Sequence, residues 1–381
     1  MTAKIDPFRA IAVSEIAHRL KAEGRSVIHM EFGQPSTGAP AAAIAAAHRV
    51  LDSDPMGYWQ SPDLKARIVQ HYADWYGVKI KPTQVILTNG ASPGLVMALN
   101  MSFNPGDRIA FARPGYVAYR NNCRALHLEP VEVSCGADER FQMTAKALAA
   151  LDPAPKGLIL ASPANPTGTI IPREELAAIA KVCRERGIII ISDEIYHGIS
   201  YGMETPSILE VAPDALVVNS FSKYWSMAGW RLGWLIVPEH GIDAAQARMG
   251  NLFLTPPSLA QHAGLVAMDC AAELDSHLAT YARNRQLLLD ALPALGLARI
   301  APPDGAFYIY ADVSDFTDNA LEFCQQLVQD TGVATAPGID FDPVEGHHFI
   351  RLSFAVSTPE IEEAIRRMIP WFATRNRGTR T

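Results

Sequence analysis

The middle of the chain alternates short apolar runs with longer amphipathic ones. The apolar runs fall at 85–88 (VILT), 108–113 (RIAFAR), 128–134 (LEPVEVS), 157–162 (GLILAS), 187–193 (GIIIISD), 215–219 (ALVVN) and 233–237 (GWLIV). Most are continuously apolar rather than alternating, which predicts strands buried on both faces. Between several of them lie stretches with helical spacing. From Arg173 to Arg186, for example, Leu176, Ile179, Ala180 and Cys183 share one face. Strand–helix–strand order of this kind predicts an α/β fold, a large domain whose mainly parallel seven-stranded sheet is wrapped by helices.

The two ends follow another pattern. Residues 7–24 have the spacing of one helix ended by Gly24. From about Thr280 the chain predicts a helix, strand-like pieces at 307–311 and 348–354, and helices near 318–330 and 358–373. The expectation is a smaller α+β domain assembled from residues 1–39 and 281–381 around a large domain spanning 40–280. A chain of 381 residues that is 49% hydrophobic can fill two such cores.

Charge narrows the function. The net charge is −7 and charged residues make up 19% of the chain, with no basic run beyond Arg375, Arg377 and Arg380. A solvated end is the expected reading of that tail; a nucleic-acid partner is not expected, and a small-molecule substrate is. Five scattered cysteines, none in a Cys-x-x-Cys pair, point to a reducing cytoplasm. Charges at Asp6, Arg9, Glu15 and Arg19 argue against a secretory signal, and no apolar run approaches the roughly 20 residues of a membrane helix. His347 and His348, expected to point apart on a strand, do not suggest a metal site.

Ligands of open parallel sheets bind beyond the carboxyl ends of the strands, so the residues just after each run matter most. After 85–88 comes Asn89-Gly90-Ala91-Ser92-Pro93-Gly94 opening a helix, a candidate phosphate cup as well as an ordinary cap. After 157–162, Ser162-Pro163-Ala164-Asn165-Pro166-Thr167-Gly168 is a stiff turn that fixes the Asn165 amide. Asp193, at the end of 187–193, is costly to bury unless a cation or donor faces it, and Tyr196 follows three residues later. After 215–219, Lys223 stands among Phe221, Tyr224, Trp225, Met227 and Trp230, preceded by Ser220 and Ser222 and followed by Arg231. An amine in such surroundings can lose proton affinity, as a lysine that bonds a carbonyl requires.

Taken together, these segments resemble the pyridoxal-phosphate aminotransferases of class I/II, the fold-type-I group of aspartate and aromatic aminotransferases. The resemblance runs nearly end to end. Asn165-Pro166-Thr167-Gly168, Asp193-x-x-Tyr196, Ser220-x-Ser222-Lys223 with Arg231 eight residues on, and Phe349-Ile350-Arg351-Leu352-Ser353 occur in the family's order and spacing.

The resemblance implies that Lys223 is the attachment point of pyridoxal 5′-phosphate and moves the proton at the substrate Cα. Asp193 would keep the ring nitrogen protonated, Tyr196 and Asn165 would bond the ring oxygen, and Tyr116 would stack on the ring. Gly90, Ala91, Ser92, Ser220, Ser222 and Arg231 would hold the phosphate. Arg351, with Asn165 and the backbone at Gly33, would grip the substrate carboxylate. Tyr58 resembles the tyrosine that a neighbouring subunit contributes, implying a homodimer with shared sites. The implied reaction moves an amino group between an L-amino acid and a 2-oxo acid by a ping-pong mechanism. The alternative is a C–S lyase or eliminase on the same scaffold. Departures from the family's pattern are Gly33-Gln34-Pro35-Ser36 in the entrance loop and a short segment after Tyr58. Ser92 stands where relatives acting on dicarboxylates carry a basic residue, and no second arginine is evident. Trp59, Phe8 and Phe307 are candidates for a neutral or aromatic pocket, with core packing the default for any one of them, and neutral or aromatic substrates are slightly favoured over aspartate.

Overall fold

Runs of β-branched and aliphatic residues form strands where both faces can be covered, and that condition organises this molecule. The structure, a computed structural model, describes residues 5–375. The strands are β1 (Ile28–His29), β2 (Val85–Thr88), β3 (Arg108–Arg113), β4 (Glu129–Ser134), β5 (Gly157–Ala161) and β6 (Ile189–Asp193). They continue with β7 (Leu216–Ser220), β8 (Gly233–Ile236), β9 (Tyr308–Asp312), β10 (Val333–Ala334), β11 (Ala336–Pro337) and β12 (Phe349–Ser353). All seven strands expected in the middle of the chain are present within two residues of their predicted bounds.

Those seven make one sheet in the order β2-β8-β7-β6-β5-β3-β4. Only β8 runs against its neighbours, so six strands point their carboxyl ends the same way. Side chains divide between the faces with period two. Ile109, Phe111, Ile159, Ile191, Leu216 and Val218 pack under the helices Ala91–Ser102 and Val117–Ala125. Ala110, Leu158, Leu160, Ile190 and Val217 join the larger core on the other face. β4 carries Glu129, Pro130 and Glu132, and it lies at the sheet edge, where a proline costs no ladder bond.

Helix Arg173–Arg186 starts with Glu174 and Glu175, ends with Arg184 and Arg186, and stops at Gly187 in the left-handed conformation. Acidic and basic residues thus match the helix dipole at both ends. The chain ends meet in a smaller layer. β1 pairs in parallel with β10, β11-β12-β9 form an antiparallel sheet against helix Ala320–Thr331, and helix Thr358–Ala373 packs on that helix and on β10. The helix expected at 7–24 spans Ala10–Ala22. His347 and His348 lie in a 3-10 turn before β12, and their rings sit 3.9 Å apart, so the expectation of a strand with divergent rings fails there. Arg375 pairs with Asp330 and caps the Trp371 ring rather than standing free, while Arg377 and Arg380 lie outside the described residues. Among the described residues no helix is long and apolar enough to cross a membrane.

Candidate active site

Because β2, β3, β5, β6 and β7 are parallel, the polar residues that follow them gather at one edge of the sheet. The β9–β12 layer closes over that edge. Between them is a cavity of about 400 Å³, within the range of small-molecule sites. Its wall includes Gly33, Ala91, Ser92, Tyr116, Asn165, Asp193, Tyr196, Ser222, Lys223, Arg231 and Arg351, so most of the expected site residues converge.

Lys223 follows β7 on a short turn and donates through Nζ to the Gly33 carbonyl. Burial, reinforced by the nearby Arg351 and Arg231 charges and opposed by Asp193, lowers its amine from the usual 10.5 to about 8. The terminal residue of β6, Asp193, is 7% exposed. Its carboxylate accepts from the Tyr119 hydroxyl at 2.7 Å and from the Ile195 N–H at 3.2 Å. Burial nevertheless raises its pKa above the carboxylate norm, which leaves it in need of a positive partner.

Arg351 is only 2% exposed. It donates to Asn165 Oδ1 at 2.9 Å and to the Glu31 carbonyl at 2.6 Å. Its Nε is buried without a hydrogen-bond partner, and among the described residues it pairs with no carboxylate. A buried cation whose hydrogen bonds go only to an amide and a carbonyl, with no carboxylate in contact among the described residues, is a strong site for an anion.

At the other end of the cavity, helix Ala91–Ser102 presents its N-terminus through Ala91 and Ser92. Gly90 has φ +94°, and a Cβ there would lie 2.4 Å from the Arg231 guanidinium. Arg231 itself is tied to the Ala228 and Asn89 carbonyls at 2.8 and 3.2 Å. Ser220 is fully buried behind the wall, where its hydroxyl bonds Ser222 Oγ at 2.7 Å and the Leu232 carbonyl at 2.9 Å. With Lys223, Arg231 and Arg351 against Asp193, the cavity carries an excess of positive charge and favours ligands with two anionic groups.

Tyr58 is 81% exposed and is not brought to the cavity within one chain. Trp59 packs on His262, and Phe307 is fully buried against Tyr196 and Tyr281; of the three aromatics considered for the pocket, only Phe8 lines it. Among the wall residues not expected from the sequence, Tyr119 and Tyr308 touch the expected site residues through their hydroxyls. Tyr119 lies three residues after Tyr116 on helix Val117–Ala125 and shares its face, a spacing that could have revealed it. Tyr308 bonds Tyr196 at 2.5 Å and stacks on Arg351, and no local signal marks it.

A mainly parallel sheet with a lysine, a carboxylate and two arginines around one cavity at its carboxyl edge defines a small-molecule enzyme of fold type I. The sequence profile of the aminotransferase class I and II family matches residues 25–368, and the chain belongs to that family of pyridoxal-phosphate-dependent aminotransferases. Over 97% of both chains it is 46% identical to a valine–pyruvate aminotransferase of Mycobacterium tuberculosis. A crystal structure of an aminotransferase from M. tuberculosis superposes with a TM-score of 0.95, at 46% identity and 97% coverage of each chain. A putative aminotransferase from Silicibacter pomeroyi gives 0.93 at 43% identity, over 97% of this chain and 98% of that one.

Proposed function

We propose that this aminotransferase binds pyridoxal 5′-phosphate in the cavity and moves the amino group of a neutral L-amino acid to a 2-oxo acid by a ping-pong mechanism. The observation that carries the reading is the buried, carboxylate-free Arg351, which faces the same cavity as Lys223 and Asp193.

When bound, the cofactor supplies an aldehyde for the amino group and a pyridinium ring that draws electrons from the substrate Cα. The protein's part is division of charge. Lys223, with an amine near pH 8, is the attachment point and the group that moves the proton at Cα. Asp193, held by Tyr119, keeps a proton on the ring nitrogen through a charge-assisted bond. Tyr196 and Asn165 would hold the ring oxygen, and Tyr116 would cover the ring. Ser92, Ser222 and Arg231 bind the phosphate with the N–H groups at Gly90 and Ala91, and Ser220 orients Ser222 from behind. Arg351, aided by Asn165 and the Gly33 backbone, takes the substrate carboxylate. The exposed Tyr58 completes the phosphate site of a second chain in a homodimer.

Substrate side chains are neutral on this reading. Every cation among the described residues on the wall within one chain is already engaged in attachment, phosphate or α-carboxylate binding, which leaves none of them for a distal carboxylate. The valine and pyruvate named for the 46% identical relative agree with it. The test is a panel of amino acids incubated with the pyridoxal-phosphate-loaded protein, with and without pyruvate. Alanine should form from pyruvate with valine and other neutral donors, in initial-rate patterns of parallel lines. Continuous release of ammonia and 2-oxo acid without an acceptor, the signature of a lyase, would refute the proposal.

A further inference from the structure

Tyr308 opens β9, and Arg351 lies on β12. The antiparallel register sets Ser353 opposite Tyr308 and Arg351 opposite Tyr310, so Tyr308 and Arg351 are diagonal neighbours on one face. The Arg351 guanidinium lies between two rings, 4.4 Å from the centroid of Tyr308 and 4.8 Å from that of Phe341. The Tyr308 hydroxyl reaches past the arginine to the Tyr196 hydroxyl, 2.5 Å away, and abuts Gly33 so closely that a Cβ there would lie 2.0 Å from it. Tyr308 is fully buried. One side chain therefore touches the residue assigned to the cofactor's ring oxygen, the residue assigned to the substrate carboxylate and the backbone that receives Lys223.

Two hydroxyls share one hydrogen bond, so one must donate and the other accept. Burial raises both phenols above their ordinary pKa, which keeps each an O–H at working pH. The geometry allows either hydroxyl to donate; once Tyr196 gives its proton to an acceptor in the cavity, Tyr308 must be the donor of the pair, and accepting that bond makes Tyr196 a better donor. The ring plane meanwhile holds the guanidinium by a cation–π contact, which fixes the orientation of the fork without neutralising its charge.

We propose that Tyr308 is a positioning residue with two separable functions: its hydroxyl donates to Tyr196 and commits that residue to donate to the cofactor's ring oxygen, and its ring clamps Arg351 for the substrate carboxylate. The inference rests on the cofactor-binding reading above and adds to it a residue that couples the two halves of the site.

Substitution separates the functions. Tyr308→Phe removes the hydroxyl and keeps the ring, whereas Tyr308→Leu removes both. Two properties of the pyridoxal-phosphate-loaded protein are measured, neither of them turnover. The first is the midpoint of the pH titration of the bound cofactor's absorbance. The second is the Kd for 3-methylbutanoate, a carboxylate with the valine skeleton and no amino group. Weaker donation by Tyr196 leaves the ring oxygen less stabilised and the neighbouring proton more firmly held. The midpoint should rise by about half a pH unit in both variants. The Kd should stay within about twofold of wild type in Tyr308→Phe and rise about tenfold in Tyr308→Leu. A wild-type midpoint in Tyr308→Phe overturns the hydroxyl role even if the leucine variant fails to fold. An unchanged Kd in a folded Tyr308→Leu overturns the clamp. A wild-type protein that binds no pyridoxal phosphate overturns the functional reading and this inference together, and is recognised by its lack of any cofactor absorbance.

Discussion

Removing Arg351 should abolish most of the enzyme's discrimination for substrates that carry an α-carboxylate. Arg351→Leu deletes a cation that is 2% exposed, with no carboxylate partner among the described residues and with one buried N–H still unsatisfied. Its other two bonds, to Asn165 Oδ1 and the Glu31 carbonyl, are with neutral groups and do not offset the desolvation of the charge. A substrate carboxylate that docks there would form a desolvated, charge-assisted pair, and truncating one partner of such a pair costs about 2–5 kcal/mol. At 1.36 kcal/mol per factor of ten, kcat/KM for valine should fall by roughly 30- to 5,000-fold. The assay follows alanine formation from pyruvate with valine and, separately, with 2-methylpropylamine, the same skeleton without the carboxylate. The variant should lose far more with valine than with the amine. A loss with valine of less than about fivefold, or equal losses with both donors, would refute the assignment.

Further tests address the lysine and the phosphate end. With an amine near pH 8, Lys223 of the cofactor-free protein should take up pyridoxal phosphate covalently at a rate that rises with pH and levels off just above 8; a rate still climbing toward 10.5 would contradict the burial argument. The same shift has a cost in stability. A lysine whose folded pKa is lowered destabilises the protein fully below pH 8, and the penalty fades as pH rises from about 8 to 10.5. Lys223→Met should therefore raise the Tm of the cofactor-free protein at pH 7, by a stabilisation of at most about 3 kcal/mol, and much less above pH 10. An equal gain at both pH values would show that packing, not charge, is responsible. Gly90→Ala forces a side chain onto φ +94° and against the Arg231 guanidinium. Its Kd for pyridoxal phosphate should rise tenfold or more by fluorescence quenching, and a change under twofold would remove Gly90 and Arg231 from the phosphate site.

Much of this was legible in the residues alone, because the information was local. Continuous apolar runs such as GLILAS and GIIIISD can satisfy both faces only inside a covered sheet, so strand positions and the mainly parallel arrangement followed from pattern. Parallel strands put their carboxyl ends together, so Asp193, Asn165 and Lys223 could be grouped before any coordinate was known. Other features depended on contacts between distant segments. Tyr308 lies 112 residues from Tyr196, and their hydroxyl pair has no periodicity to betray it. Composition left Phe307 and Trp59 open between pocket and core; Phe307, just before β9, is fully buried in the core and Trp59 packs on His262, because side-chain direction depends on register rather than composition. The sequence by itself determined which residues carry charge and reactivity at the sheet's edge. Only the tertiary structure decided that Arg351 would be buried between two rings with no carboxylate in contact among the described residues, since burial and ring stacking arise when β9, β12 and the 3-10 turn at Gly338–Asp340 close over that edge.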